Sequence, residues 1–300
     1  MELYPTREGF LGELAKGFTF LEVARIAAGF GQKLLEEGKG EVVVGYDARF
    51  LAREMAEEAA GVLSGMGLKA HLLQGPAPFP LFGYALWTKK AAGLYLTASR
   101  KPPRFQGVKL RLEAGRPLPG EALALPEAPP EARGGYALLD LRKAYLAHLV
   151  ESAGELKDRP GVVYLDAMGG AGGGVLGKAL QALGLKAELR ELHPLPHPLF
   201  YGVDPDPRPE NLKTLLALLK AQEPPTLGLA LDGDADRLPP PPAGGGAAGG
   251  EPVREEEVLE ALRKARGEVQ GDGEGGFLFP GHLPEKDPYL AALLLLGVLL

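Results

Sequence analysis

Asp232, Asp234 and Asp236 alternate along one short stretch of this 300-residue chain and are followed directly by Arg237. Three carboxylates at alternate positions of a turn can converge on one cation, and an all-oxygen ligand set suits a hard ion such as magnesium. A calcium EF-hand would place Gly at the sixth position and Glu at the twelfth. Counted from Asp232 these are Arg237 and Ala243, so that pattern is excluded. A second polar stretch reads Thr97-Ala98-Ser99-Arg100-Lys101-Pro102-Pro103. A serine on a tight loop can act as a nucleophile or carry a phosphate. Arg100 and Lys101 would favour that added charge. A phosphoserine and a magnesium ion form a natural charge pair.

Both stretches end predicted strands. Glu41–Tyr46 reads as a buried strand, followed by a helix with Leu51, Met55, Ala59, Val62 and Met66 on one face and a stop near Gly65–Gly67. The next strand is LKAHLL, and residues 93–97 form a third. The pattern then recurs: a strand over 162–165, a glycine loop, a helix carrying Leu176, Ala179, Leu180 and Leu183, then LKAELREL, a further helix with Leu212, Leu215, Leu216 and Leu219, and a strand over 227–231. Gly67-Leu68-Lys69-Ala70 returns as Gly184-Leu185-Lys186-Ala187 at the matching point, which points to a duplicated unit. Strands alternating with helices imply an α/β fold with mainly parallel pairing. Ligands in such folds gather at the carboxyl ends of strands, where both polar loops fall.

These residues resemble the α-D-phosphohexomutase family of phosphomannomutase/phosphoglucomutase-like enzymes. Asp232, Asp234 and Asp236 match its magnesium loop, and Ser99 stands at its phosphoserine, with Arg100 and Lys101 in place of the usual His and Asn. Phe105-Gln106-Gly107-Val108-Lys109 is similar to the family segment next to that loop, which puts Lys109 at the general acid/base position. Gly45-Tyr46-Asp47-Ala48-Arg49 and the loop from Asp166 to Gly174 resemble two further family segments. Gly271-Asp272-Gly273-Glu274-Gly275 is the nearest match to the sugar-recognition loop, and the run from Gly281 through His282 to Asp287 resembles the family segment beyond it. The resemblance runs from Gly9 to Leu238. It implies phosphoryl transfer between the 1- and 6-positions of a hexose phosphate through a hexose bisphosphate. Ser99, Lys109 and Arg237 would be catalytic, and Asp232, Asp234, Asp236 and Ser99 would hold Mg2+. Arg100, Lys101, Asp272, Glu274 and His282 would bind substrate and phosphate.

The pattern also departs from the family. Leu11 stands where an N-terminal Gly-x-Arg-Gly element carries its Arg, and the fourth, phosphate-binding domain of the family has no counterpart. The expected organisation is two related mixed or parallel-sheet α/β domains over 1–140 and 141–238, a Pro/Gly linker over 239–250, and an incomplete third domain over 251–300. Two other functions stay open on the residues alone: an inactive sugar-phosphate-binding paralogue, and a dehalogenase-type phosphatase with Asp232 as nucleophile. Gly172-Gly173-Gly174-Val175-Leu176-Gly177 also satisfies a dinucleotide-loop pattern, which is weak alone.

Composition narrows the rest. A net charge of -6 without a Lys/Arg run argues against nucleic acid. Zero cysteines exclude disulfides and thiolate chemistry and fit a cytoplasmic protein. The apolar run from Leu290 to Leu300 is too short for the roughly 20 residues of a membrane span and reads as a buried helix. His193 and His197, set among prolines, read as an irregular loop.

Overall fold

The computed structural model describes residues 3–221, 226–239 and 255–299. The expected Pro/Gly linker lies, apart from Pro239, outside the described residues. The chain opens with a hairpin, β1 (Tyr4–Thr6) and β2 (Gly9–Glu13), then α1 (Phe20–Glu36). Thr19 caps α1, its hydroxyl accepting from the Leu21 amide at 3.2 Å. Next come β3 (Glu41–Tyr46), α2 (Ala52–Gly65), β4 (Lys69–Leu73), α3 (Phe79–Lys89), β5 (Ala92–Leu96), β6 (Phe105–Arg111), β7 (Ala137–Leu139) and α4 (Arg142–Ala153). The second half holds β8 (Val162–Asp166), α5 (Val175–Leu183), β9 (Glu188–Leu192), α6 (Lys213–Lys220) and β10 (Thr226–Ala230). After the undescribed stretch come α7 (Glu255–Arg266), a small hairpin of β11 (Gln270–Gly271) and β12 (Phe277–Leu278), and α8 (Pro288–Leu299).

The first sheet runs β1-β2-β6-β5-β3-β4-β7 and the second β10-β8-β9. In the first, β3 pairs in parallel with β4 and β5, and in the second β8 pairs in parallel with β9 and β10. The strand order 3-1-2 is thus the same in both units, as the recurring tetrapeptide suggests. The first sheet is mixed and the second parallel, within the expected mixed or parallel pairing: β1 pairs with β2, β2 with β6 and β6 with β5, all antiparallel. Those strands give no signal of their own: β1 and β2 are short and carry Pro5 and Gly9, and polar Gln106, Lys109 and Arg111 interrupt the apolar pattern of β6.

One core joins all three parts of the chain. Phe79, Phe82 and Tyr95 of the first sheet's layer belong to the same buried cluster as Leu165 and Leu229 of the second sheet and Tyr289 to Leu296 of α8. A helix that is apolar on every side must be buried on every side. Tyr289 through Leu296 are all 3 % exposed or less, as the unbroken apolar run requires.

Candidate active site

The two polar loops meet. The Ser99 loop follows β5, and Asp232–Arg237 follows β10. Ser99 Oγ donates to Asp232 Oδ2 at 2.8 Å. Ser99 has a left-handed backbone (φ 48°), unusual for a residue with a side chain, and the loop is held in that shape from below. The Ser99 amide donates to Thr97 Oγ1 (2.8 Å), and the Thr97 hydroxyl donates to Asp47 Oδ2 (2.7 Å). Arg49, almost fully buried, donates to the carbonyls of Ser99 and Lys101 at 2.7 Å and of Pro102 and Phe105 at 3.0 Å. Its guanidinium also lies 4.9 Å from the centre of the Phe200 ring and donates to Asp47 at 3.2 Å. Burial pushes the Asp47 carboxyl up to about 6, against the pull of Arg49 and of the Thr97 hydrogen bond.

Asp232, Asp234 and Asp236 are buried, and one ligand oxygen from each lies within 4.8 Å of the others. Both oxygens of Asp234 and Oδ1 of Asp236 accept no well-directed hydrogen bond. Buried carboxylate oxygens without such donors are rare, and Asp234 Oδ1 and Asp236 Oδ1, with no partner of either kind beside a third carboxylate, fit a hard divalent cation. Burial, with Asp234 and Asp236 adding to it, raises the Asp232 carboxyl well above the usual range. Burial also acts to raise Asp236, but the charges of Lys109, Lys286 and Arg237 outweigh it and hold that carboxyl low.

Lys109, from β6, reaches across the cleft. Its Nζ lies 2.7 Å from Asp234 Oδ2 and 2.8 Å from Asp236 Oδ2, with Glu8 at 4.0 Å and the Phe79 ring centre at 4.3 Å. The contact with Asp234 is an ion pair by distance alone, which is why that oxygen still lacks a directed donor. Burial disfavours the ammonium, yet Asp234, Asp236 and Glu8 together raise its pKa. Arg237 pairs with Glu274 (3.0 Å) and approaches Asp272 (3.7 Å) and Asp232 (4.0 Å). Arg100 pairs with the same Glu274 at 2.8 Å. Lys101 is exposed at the rim. A cavity of about 310 Å³ is lined by Ser99, Arg100, Lys101, Asp204, Asp206, Arg208 and Arg237. A larger cavity of about 550 Å³ lies elsewhere, between α4 and α5, and none of the expected site residues lines it.

His282 is the one expected site residue that the fold takes away. It is 3 % exposed, bonded through Nδ1 to Ser152 (2.8 Å) and through Nε2 to Asp287 (2.9 Å), and stacked on His148. Both ring nitrogens are used, so it ties α8 to α4 and has nothing left for a ligand. In the glycine loop before α5 a Cβ on Gly173 would lie 1.9 Å from the Pro194 carbonyl oxygen, so the close packing of the chain there accounts for that glycine. His193 and His197 lie outside helices and strands. Sequence reasoning does not single out Glu8 or Arg208 for the site. Arg208, paired with Asp206 at 2.8 Å, sits in a proline-rich stretch whose only signal is its charge.

The fold and the cleft define an α/β protein whose serine loop and triple-aspartate loop close on one another at the carboxyl ends of two sheets. Two family models match: the phosphoglucomutase/phosphomannomutase alpha/beta/alpha domain I over residues 3–125 and domain II over residues 143–239. A Thermus thermophilus crystal structure assigned as a phosphomannomutase superposes with a TM-score of 0.87 at 35 % identity, over 99 % of this chain and 80 % of that one. The phosphoglucomutase of Neisseria gonorrhoeae is 34 % identical over 224 residues, 71 % of this chain and 47 % of its own length. The phosphomannomutase/phosphoglucomutase of Pseudomonas aeruginosa is 30 % identical over 228 residues, 71 % of this chain and 46 % of its own. The chain belongs to the phosphoglucomutase/phosphomannomutase family and spans about half the length of these two curated relatives.

Proposed function

We propose that this chain is a magnesium-dependent phosphohexomutase that moves a phosphoryl group between the 1- and 6-positions of a hexose phosphate through a phosphorylated Ser99. The observation that carries the reading is the 2.8 Å contact of Ser99 with Asp232, inside a cleft that also holds unbonded aspartate oxygens and two arginines. Residues 1–140 and 141–238 would be the two family domains, with 251–300 part of a third. A cytoplasmic setting fits a hexose phosphate substrate.

Asp232, Asp234, Asp236 and Ser99 would hold Mg2+, which when bound neutralises charge on the transferring group. The chain's own residues do the rest. Asp232 orients Ser99 Oγ, and the Arg49 staple keeps the serine on its strained turn. Arg237 and Arg100 face the cavity and bind phosphate oxygens. In transfer, the bond from phosphorus to Ser99 Oγ breaks as one to the sugar hydroxyl oxygen forms. The sugar hydroxyl loses a proton and the serine oxygen gains one. Lys109, held as an ammonium by Asp234 and Asp236, gives its proton to the departing Ser99 oxygen and, as the amine so formed, takes up the proton the sugar hydroxyl releases, so it ends as the ammonium it began as.

Intact-mass spectrometry after incubation with glucose 1,6-bisphosphate and magnesium tests this. One phosphate added to Ser99, then lost to added glucose 1-phosphate as glucose 1,6-bisphosphate forms, supports the reading. No uptake by the native chain, or equal uptake by Ser99→Ala, overturns it.

A further inference from the structure

Glu274 sits where an anion belongs. Its Oε2 accepts from Arg100 Nη2 at 2.8 Å and lies 3.0 Å from Arg237 Nη2, so two guanidinium groups from distant parts of the chain share one carboxylate oxygen. The buried Nε of Arg237 makes no hydrogen bond. The two arginines line two adjoining cavities of about 310 and 250 Å³; Ser99 opens onto the first and Glu274 onto the second.

The loop carrying Glu274 is firmly held. Glu255 accepts from the amides of Gly273 (2.9 Å) and Gly275 (3.0 Å), and Asp272 accepts from those of Glu274 and Gly276 at 2.8 Å. Gly273 and Gly275 have left-handed φ of +78° and +83°, which the turn requires. The Glu274 side chain is nonetheless 51 % exposed, so it can swing off the arginines by changing rotamer while the loop stays in place.

We propose that Glu274 occupies, in the ligand-free protein, the place between Arg100 and Arg237 where a phosphate group would bind, a latch that an incoming phosphate displaces. A phosphate dianion offers more oxygens and more charge than one carboxylate to the same pair of forks. Partly exposed ion pairs are weak, so the latch yields readily, yet every phosphate must compete with it. Arg208 and Lys101 add positive charge at the rim, while Asp204 and Asp206 oppose it. The inference deepens the mutase function and rests on it only for the natural source of the phosphate, a sugar phosphate or phosphorylated Ser99.

Calorimetric titration of inorganic phosphate and of glucose 6-phosphate into Ser99→Ala protein, which has no serine to phosphorylate, tests the latch. Adding Glu274→Gln should tighten phosphate binding by about three- to tenfold, the size expected for one or two such ion pairs, and adding Arg100→Met should remove the gain. A gain with both ligands assigns the site to the phosphate group itself. A gain with glucose 6-phosphate alone assigns it to a ring-borne phosphate. Unchanged or weaker binding of both by Glu274→Gln overturns the latch. Glu274→Ala, with the same expectation, serves if the glutamine variant does not fold. The readout is binding and not turnover. A chain without mutase activity could still show the gain, and an active chain without the gain overturns the latch alone.

Discussion

Ser99 and Asp232 are 133 residues apart in the chain and 2.8 Å apart in the fold. The approach depends on the residue between two of the aspartates: a Cβ on Gly233 would lie 2.7 Å from the Ser99 carbonyl oxygen, too close for any side chain. The Asp-Gly-Asp spelling therefore serves the packing of one loop on the other as well as the placing of carboxylates. The two loops behave as one unit, so a change in the residues that brace either loop is felt by both.

Lys109→Met should destabilise the metal-free protein by about 3 kcal/mol, because it leaves Asp234 and Asp236 buried without their counter-charge. Magnesium should recover part of that loss. Thermal unfolding in chelator and in magnesium checks this: the variant should show the larger magnesium-dependent rise in Tm. An equal rise in both proteins would contradict the shared position of ammonium and cation.

Arg49→Met should cost about 3 kcal/mol, since Asp47 becomes an unpaired buried charge and four loop carbonyls lose a donor. Urea unfolding measures the cost. Hydrogen exchange of the amides over 97–107 should rise along with it, because the Ser99 turn has no other staple of this kind among the described residues.

Glu285→Ala should destabilise by about 3 kcal/mol and loosen the C-terminal part from the first sheet. Glu285 is buried against the Arg111 guanidinium of β6, and its loss leaves Glu8, at 2.9 Å, as the carboxylate bonded to Arg111. Protection from hydrogen exchange should fall most over 277–296. A uniform fall would mean that the pair does not anchor that segment.

Glu191→Gln should stabilise the protein at neutral pH, and the gain should disappear in acid. Burial raises the Glu191 carboxyl, against the Gly174 amide bond and Lys178. With a raised folded-state pKa, the folded chain holds that proton more tightly than the unfolded one. Its contribution to stability is complete below the unfolded pKa and is lost as pH rises through the folded one. Glutamine still accepts from Gly174 (3.0 Å in the parent chain) and carries no charge. The Tm of the variant should exceed the parent's at neutral pH and meet it at about pH 4, near the ordinary glutamate pKa.

What the residues determine by themselves is local. The strands at 41–46 and 162–165, the helices between them, the repeated turn and the apolar helix at the end all come from periodicity and from glycine positions, which act within a few residues. The two polar loops of the candidate site are legible for the same reason, because each is a short polar segment ending a buried strand. Tertiary structure decided what stands opposite what. That Arg49 holds the Ser99 loop, that Lys109 lies on Asp234 and Asp236, that Glu274 bridges Arg100 and Arg237, and that His282 is turned into the core each depend on contacts between residues far apart in the chain. Such contacts leave no period in a single sequence, because the partner's distance along the chain is set by the packing of whole layers and not by the geometry of one helix or strand.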